Sequence, residues 1–433
     1  MMIHFRTTLL VWGLVAWMMG GGWCVSTVLA DDTSSTPAAQ ETTDKTKDSA
    51  DAKSEKKCNC FKNASISHTD VFLSGKEGYH SYRIPAIVCT KKGTLLAFAE
   101  GRKDSQSDSG NIDIVLRRST DNGKTWGPMK VIADNGKGVA GNPSPVVDEK
   151  SGDIILITVH QTPKSTQRSI RSGKFGSRDY FVQRSTDDGE TWSEPEPIRV
   201  LDHLKKRWLA SGPGHALQLK RGDHAGRIVF TGNHSTGKDY DKNAIHVVYS
   251  DDGGHTWKLG LVGLSSKNVW PSEVLAAESP DGTICFTIRD QKHAKRAPPT
   301  KLQGTRAFGW SRDGGESLDG PMKLDSEITS PVCHGCILEF LTPGKEGKES
   351  FLVISYPNDA KDRKNLCLRC STDGGRTWGK CRVIYPESAA YSDLVQMADG
   401  RLGVFYERDN YGRMTFAVLN PKEKSKPAAG TKK

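Results

Sequence analysis

An eight-residue pattern, Ser-x-Asp-x-Gly-x-Thr-Trp, recurs along the chain and constrains its fold more than any other feature. The copies are STDNGKTW at 119–126, STDDGETW at 185–192, SDDGGHTW at 250–257, STDGGRTW at 371–378 and a degenerate SRDGGESL at 311–318. In chain order, successive copies begin 66, 65, 61 and 60 residues apart. A nearly fixed period of this kind indicates one fold built from many small units.

Each copy has the character of a turn between two strands. Alternating apolar residues precede the first copy, as in IDIVLR at 112–117, and this alternation is typical of a β-strand. The Asp of the pattern can accept hydrogen bonds from the amides of its own turn, and the Trp can pack beneath it. We therefore predict that each copy is the turn of a β-hairpin.

The period also predicts the number of units. The segment from Phe61 to Pro421 holds roughly 360 residues, which a period of about 63 divides into close to six units. Four-stranded sheets arranged radially leave few exposed strand edges. The sequence therefore predicts an all-β fold, a single six-bladed β-propeller with four-stranded antiparallel blades at 61–421. An array of separate small domains is disfavoured because no linker-like stretch divides the copies.

The two ends of the chain differ in character from this repeated region. Residues 1–30 have a positive flank, an apolar run and a small-residue cleavage site, and they predict a signal peptide. An uncleaved membrane anchor is the alternative, although three consecutive glycines break the apolar run. Residues 31–60 are polar and predict a disordered tether, and 422–433 predict a basic disordered tail. We expect a secreted or periplasmic protein whose mature chain has no membrane span.

The charge of the chain gives little indication of a nucleic-acid partner. The formal net charge is +10, but basic and acidic residues are mixed along the sequence, and the excess is concentrated in the tail. Nucleic-acid binding requires a basic stripe with base-reading elements. We therefore expect no nucleic-acid partner.

Nine cysteines follow Ala30, an odd number in a compartment that permits disulfides. Cys333 with Cys336 and Cys367 with Cys370 form two CxxC pairs, which taken alone resemble a zinc ribbon. The 30 residues between the pairs exceed the usual spacing of such sites, and both pairs lie in β-like segments. We therefore predict buried thiols or cross-strand disulfides, and no metal.

The octapeptides resemble the Asp boxes of sialidases, and the likeness extends beyond them. His80-Ser81-Tyr82-Arg83-Ile84-Pro85 resembles the Arg-Ile-Pro motif of that family, and the following LLAFAEGRKDSQSDSGNIDIVLRRSTDNGKTW is similar to family sequence nearly throughout. Asp boxes alone identify a fold, because they also occur in propellers that are not sialidases. The resemblance covers residues 70 to 410.

The resemblance implies a binding site for a carboxylate. Arg83, Arg289 and Arg363 match the three arginines with which the family grips the carboxylate of sialic acid, and Glu407 matches the residue that steadies the first arginine. Arginine suits this task because its planar guanidinium can form paired hydrogen bonds to a carboxylate.

The same resemblance implies the catalytic residues. Asp108 matches the family's acid/base, Tyr391 its nucleophile, and Glu273 the carboxylate that removes the phenol proton. The family often has Asn-Glu where this chain has Ser-Glu, which leaves Glu278 as an alternative to Glu273. Asp104 is the alternative to Asp108.

The implied activity is that of an exo-alpha-sialidase acting on terminal alpha-linked sialic acids of glycoproteins, glycolipids and oligosaccharides. The implied mechanism retains configuration through a Tyr nucleophile and needs no cofactor, and we expect a monomer. Transfer to another sugar, intramolecular release of an anhydro sugar, and a non-catalytic carbohydrate-binding propeller remain open as alternatives.

Overall fold

Almost every regular element of this protein is a β-strand. The computed structural model describes residues 61, 64–204, 206–239, 242–292, 305–344 and 347–420. The predicted signal peptide, tether and tail lie outside these ranges. Within them the helical elements are a short α-helix, α1 (Gln167–Arg171), and a 3-10 turn at Gly222–His224, and no helix is long and apolar enough to cross a membrane.

In the described ranges, 24 strands form four sheets of eight, five, four and seven strands. The eight-stranded sheet contains β2 (Ser81–Cys89), β3 (Leu95–Arg102), β4 (Ile112–Ser119), β5 (Lys130–Ala133), β6 (Val139–Val147), β7 (Ile154–Gln161), β8 (Asp179–Ser185) and β9 (Glu196–Ile198). The five-stranded sheet contains β10 (Leu209–Ser211), β11 (Leu217–Gln218), β12 (Ile228–Ser235), β13 (Asn243–Ser250) and β14 (Lys258–Leu264).

The other two sheets come from the C-terminal half, with one strand from the start of the described chain. The four-stranded sheet contains β15 (Pro271–Glu278), β16 (Ile284–Asp290), β17 (Thr305–Ser311) and β18 (Lys323–Thr329). The seven-stranded sheet contains β1 (Ser65–Leu73), β19 (Cys336–Gly344), β20 (Gly347–Pro357), β21 (Lys364–Ser371), β22 (Arg382–Gln396), β23 (Leu402–Arg408) and β24 (Arg413–Asn420).

The sheets therefore do not divide into six separate groups of four strands, and two local features cause the difference. The long strand β22 pairs with β21 along its first half and with β23 along its second half, so it joins two successive groups. A single parallel residue pair, Ile112 with Val139, joins β4 to β6. All other strand pairs in the described ranges are antiparallel.

Six strands contact one another in cyclic order. Each of β2, β6, β11, β15, β19 and β22 contacts the next, and β22 contacts β2. All six contribute side chains to one cavity. The first and last described strands are paired as well, since β1 lies antiparallel to β24. Contacts between distant segments therefore bring these six inner strands together.

The repeated octapeptides form the turns that the sequence predicts. In the first copy, Asp121 accepts hydrogen bonds from the amides of Lys124 and Thr125 and from the Thr125 hydroxyl, and Ser119 Oγ accepts one from the Gly123 amide. Gly123 has φ +78°, and a Cβ there would lie 2.3 Å from Phe416 of the neighbouring strand pair. A glycine is therefore required both by the turn and by the close approach of the next sheet.

Four of the five octapeptides carry a Trp, and each Trp packs against the core, but to different depths. Trp378 is 4% exposed and lies 5.5 Å from Phe308, between ring centroids, whereas Trp126 is only partly buried, against Phe416. We expect Trp378→Ala to lower the free energy of unfolding by about 3 to 5 kcal/mol, and Trp126→Ala by about half as much. Chemical denaturation at neutral pH measures both losses.

The boxes lie away from the candidate site, so the folded fraction of the Trp378→Ala variant should keep its kcat and KM within about twofold. A variant with an unchanged unfolding curve and abolished turnover would contradict a purely structural role for the boxes.

The cysteines of the two CxxC pairs do not come together as a zinc ribbon. Cys367 forms a disulfide with Cys381, while Cys333 and Cys336 are buried free thiols. Cys336 Sγ donates to Asp393. This agrees with the expectation of buried thiols and cross-strand disulfides.

Candidate active site

A polar pocket is lined by residues of the inner strands β2, β6, β15 and β22 and of neighbouring segments, and it shares no residue with the cavity described above. Six of the seven residues predicted to form the site line this pocket, and the seventh, Glu407, is buried directly behind it. The six are Arg83, Asp108, Glu273, Arg289, Arg363 and Tyr391. The structure therefore brings together residues that are up to 308 positions apart in the chain.

Arg83 is fixed by a fully buried carboxylate. Its Nε lies 2.7 Å from Glu407 Oε1, and Glu407 also accepts hydrogen bonds from the amides of Ile84 and Tyr391. Ile84 has φ +61°, which a β-branched residue adopts only where its surroundings compel it. This β-bulge turns Arg83 into the pocket while the amide of Ile84 reaches the same carboxylate.

The other two arginines come from separate parts of the chain and differ in their partners. Arg289, in β16, donates from Nη1 to Glu273 and to the Tyr391 hydroxyl, each at 2.7 Å. Arg363 precedes β21 and donates to the Tyr411 hydroxyl at 3.0 Å and to a backbone carbonyl. No carboxylate of the described residues lies within salt-bridge distance of Arg363. This cation therefore suits an external anion.

Tyr391 and Glu273 form a direct hydrogen-bonded pair. The Tyr391 hydroxyl donates to Glu273 Oε1 at 2.5 Å. Burial raises the pKa of the phenol well above its usual value, although Arg289 and Arg363 act in the opposite direction. Burial would also raise the pKa of Glu273, but Arg289, His334 and the Tyr391 hydroxyl together more than offset it and hold that pKa below the usual range. A neutral phenol thus faces an ionised carboxylate, the arrangement in which a base activates a weak nucleophile.

Asp108 lies at the mouth of the pocket with its side chain 76% exposed, and it contacts Arg102 at 2.8 Å. Partial burial raises its pKa, but Arg102 and Arg83 more than offset this, so the net shift is downward. A general acid is most effective in a site that keeps it partly protonated, whereas in the free protein the pKa of Asp108 is lowered. The cause is the positive charge of Arg102, Arg83 and Arg178 around it.

The alternatives to Glu273 and Asp108, which are Glu278 and Asp104, do not line the pocket. Glu278 is at the other end of β15, where it accepts hydrogen bonds from Lys220 and Arg221. Glu273 and not Glu278 is therefore the neighbour of Tyr391. Asp104 is exposed and does not line the pocket.

Sequence reasoning missed several residues that the fold brings into or against this pocket. Arg102 is 2% exposed and bridges Glu100 and Asp108. His334, which lies between Cys333 and Cys336 in the sequence, stacks on Tyr391 with ring centroids 5.3 Å apart. Burial lowers the pKa of His334 to about 4, so this ring is neutral at neutral pH. Neither residue has a sequence signal of its own, because each acquires its role from a neighbour distant in the chain.

One group of side chains could hold a metal ion among the residues that the structure describes: His215, Cys336 and Asp393, all buried near the axis. Asp393 accepts hydrogen bonds from His215 Nδ1 at 2.7 Å and from Cys336 Sγ at 3.0 Å, and from three backbone amides. Its acceptor sites are thus used within the protein. The group ties together the inner strands, and it is not part of the pocket.

The geometry of the pocket supports one kind of chemistry. Three guanidiniums converge where a carboxylate can bind, a phenol paired with a base lies among them, and an exposed carboxyl stands at the mouth. Such a set can hold an acidic sugar, attack its anomeric carbon and exchange a proton with the leaving oxygen.

Comparison with known proteins places the chain among proteins of one kind. Residues 93–404 match a family described as a BNR repeat-like domain. A sialidase of Micromonospora viridifaciens is 32% identical over 361 residues, covering 78% of this chain and 51% of that protein. An exo-alpha-sialidase of Arthroderma benhamiae is 30% identical over 376 residues, covering 82% of this chain and 79% of that protein.

A solved structure shows the same fold. The Hadza microbial sialidase Hz136 has 26% sequence identity and a TM-score of 0.70, covering 82% of this chain and 68% of that one. The chain spans about half the length of the Micromonospora protein and most of the Arthroderma protein.

Proposed function

Because the chain belongs to the sialidase family, we propose that it is an exo-alpha-sialidase that hydrolyses terminal alpha-linked sialic acids with retention of configuration. The observation that carries this proposal is the Tyr391–Glu273 pair set among Arg83, Arg289 and Arg363. A binder that had lost catalysis would have no need of a phenol hydrogen-bonded to an ionised carboxylate.

The proposed mechanism follows from the charges of the substrate. The substrate carboxylate binds the three guanidiniums, and Arg363 supplies the cation that has no carboxylate partner. A carboxylate nucleophile would meet repulsion from that substrate charge, whereas the neutral phenol of Tyr391 does not. Glu273 takes the phenol proton as the covalent bond forms, and Asp108 gives a proton to the leaving oxygen and then activates water.

We infer that the fold is a six-bladed propeller. The cyclic contacts of β2, β6, β11, β15, β19 and β22 supply six inner strands. The eight-stranded sheet can be divided between β4 and β6, and the seven-stranded sheet in the middle of β22. Each inner strand then belongs to its own antiparallel group, and β1 joins the group of β22, β23 and β24 by pairing with β24. The described chain would then span blades one to six without a separate domain.

We also propose that the protein is exported, acts as a monomer and requires no cofactor. Its substrates would be sialylated glycoproteins, glycolipids or oligosaccharides, and nucleic acid would not be a partner. Chelator treatment should leave turnover unchanged, because arginines and carboxyls carry every step proposed above.

The test is product analysis by NMR with 3′-sialyllactose, with and without excess lactose as acceptor. We expect free sialic acid, released first as the alpha anomer. An anhydro sugar as the main product would favour intramolecular transfer, and acceptor-dependent sialoside formation would favour a trans-sialidase. Absence of any product, with the sugar still bound, would favour the non-catalytic binder.

The pKa of Asp108 predicts how the rate depends on pH. In the free protein Arg102 and Arg83 hold that pKa low, so the acid form is present only at acidic pH. The bound substrate carboxylate neutralises part of this positive charge and should raise the pKa of Asp108. As the pH rises, the acid form of Asp108 is lost first in the free enzyme and later in the substrate complex. With sialyllactose, kcat/KM, which reports the free enzyme, should therefore decline at a lower pH than kcat, which reports the complex. Coincident alkaline limbs in the two profiles would contradict this.

A further inference from the structure

Three side chains that the proposed mechanism does not use meet in the interior, each from a different part of the chain. His215 lies between β10 and β11, Cys336 begins β19, and Asp393 lies in the second half of β22. His215 Nδ1 and Cys336 Sγ lie 2.7 and 3.0 Å from the same oxygen, Asp393 Oδ1, and 3.9 Å from each other. An imidazole, a thiol and a carboxylate therefore converge closely enough to contact a single ion.

The carboxylate of Asp393 has no permanent cation beside it. Its side chain is fully buried, yet no lysine or arginine lies within salt-bridge distance in the part of the chain that the structure describes. Glu407, the other fully buried carboxylate of the inner region, is paired with Arg83 at 2.7 Å. Burial of a carboxylate without a matching cation is unfavourable. The position of Asp393 therefore favours a cation from outside the chain.

Backbone amides orient this carboxylate independently of the other two side chains. Asp393 Oδ2 accepts from the amides of Ile87 and His215 at 2.8 and 3.0 Å, and Oδ1 accepts from the Leu394 amide at 3.0 Å. Only the hydrogen bonds from the His215 ring and the Cys336 thiol use protons that a metal ion displaces when it binds. The three amide bonds can persist, and hydrogen bonds of this kind orient the ligands of metal sites.

We propose that His215 Nδ1, Cys336 Sγ and Asp393 Oδ1 bind a zinc ion, with a water molecule as the fourth ligand. Zinc accepts nitrogen, sulfur and oxygen ligands in a tetrahedral arrangement. The ligand atoms of such a site lie about 3.3 to 3.6 Å apart. The three atoms therefore reach this geometry through shifts of about half an ångström, chiefly of the carboxylate oxygen away from its two partners.

Zinc binding leaves the buried group electrically neutral. The thiol proton of Cys336 is released to solvent, and the neutral imidazole of His215 carries its proton on Nε2 instead of Nδ1. The thiolate and the carboxylate are then both negative, and a divalent cation cancels their charge. His215 lines the cavity to which the six inner strands contribute, and 8% of its side chain is exposed. The ion, its water ligand and the released proton have access from that cavity.

The proposed ion stabilises the fold and takes no part in the reaction. It joins segments of the chain that lie up to 178 residues apart. None of its three ligands lines the polar pocket, so the roles proposed for Tyr391, Glu273 and Asp108 are unchanged. A chelator should therefore lower the melting temperature of the zinc-loaded protein and leave kcat unchanged, in agreement with the metal-independent turnover expected above.

The test titrates the full chain with cobalt(II), which replaces zinc in tetrahedral sites and is visible by absorption spectroscopy. Cobalt bound to a thiolate gives a near-ultraviolet charge-transfer band together with intense visible bands. We expect both to appear and to saturate at a single ion per chain, and zinc to abolish them. Zinc at about a hundred times its Kd should raise the melting temperature by about 3 to 5 °C.

Cys336→Ser is the decisive variant. Its hydroxyl can still donate to Asp393, so the variant should fold, but it removes the thiolate. The charge-transfer band and the zinc-dependent rise in melting temperature should both be lost, with kcat unchanged. If this variant does not fold, His215→Gln replaces it, and cobalt should then bind at least tenfold more weakly.

Two controls test whether another thiol binds the ion. Cys89→Ser removes a partly exposed free thiol that lines the same cavity. The double variant Cys58→Ser/Cys60→Ser removes two cysteines that are close together in the sequence. Both should keep the cobalt spectrum and the zinc-dependent rise in melting temperature of the wild-type protein.

The opposite results would overturn the inference. A wild-type spectrum without a thiolate band shows that Cys336 is not a ligand, and so does an undiminished band in folded Cys336→Ser. Loss of the band in either control would place the ion at another thiol. A kcat that falls when zinc is removed would refute the purely stabilising role.

Discussion

Replacement of Tyr391 by Phe is expected to lower kcat by about 10³-fold or more, on sialyllactose and on an aryl sialoside alike. The hydroxyl that this change removes is the atom that donates to Glu273 and accepts from Arg289. The ring that it keeps still stacks on His334 and fills the same buried space. The variant should therefore fold normally, and steady-state kinetics on both substrates measure the loss.

Tyr411→Phe is the matched control for this change. The Tyr411 hydroxyl accepts a hydrogen bond from Arg363, and its ring lies under Arg83, but it has no carboxylate base beside it. We expect a loss of about tenfold or less, mainly in KM. A fluorinated sialosyl inactivator should label wild-type protein on the peptide that contains Tyr391 and should not label Tyr391→Phe. Labelling of another residue, or equal losses in the two variants, would refute the nucleophile assignment.

Replacement of Asp108 by Ala should cost about 10² to 10⁴ in rate on sialyllactose and much less on an aryl sialoside. A sugar alkoxide is a strongly basic leaving group that needs a proton, whereas a nitrophenolate departs without one. Asp108 is suited to this step because it stands at the pocket mouth beside Arg102, where a leaving oxygen would emerge. Initial rates on the two substrates at acidic pH give the comparison.

Two further variants serve as controls for Asp108→Ala. Arg363→Ala removes a carboxylate contact common to both substrates, so its losses should be nearly equal on the two. Asp104→Ala should leave both rates unchanged, since that side chain is exposed and outside the pocket. Equal losses for Asp108→Ala on both substrates would argue against the proton-donor role.

Much of the fold was predictable because its signals are local. The five octapeptides predict turns because Ser, Asp and Gly recur in them at fixed offsets. The structure forms the predicted hydrogen bonds in each, as with Asp121 and Asp373. The merging of the strand groups was not predictable. It depends on β22 remaining extended through a register shift between Ala389 and Ser392, which no local pattern encodes.

The site residues could be predicted from the sequence because its motifs resemble those of sialidases specifically, from the Arg-Ile-Pro motif at Arg83 to Tyr391. The sequence favoured Glu273 but left Glu278 open, because both lie on one strand. The contact with the phenol of Tyr391, 118 residues away from Glu273, decides between them.

Only the tertiary structure determined which charged groups of the pocket are paired and which of its hydrogen-bond donors have no acceptor. Arg83 meets Glu407 across 324 residues, and Arg178 Nε and Asn233 Nδ2 have no acceptor among the described residues, although both side chains line the pocket. A pKa or an unsatisfied hydrogen bond depends on which groups lie within a few ångströms and on how much water is excluded. Those distances are set only when strands far apart in the chain pack together, which no local sequence pattern encodes.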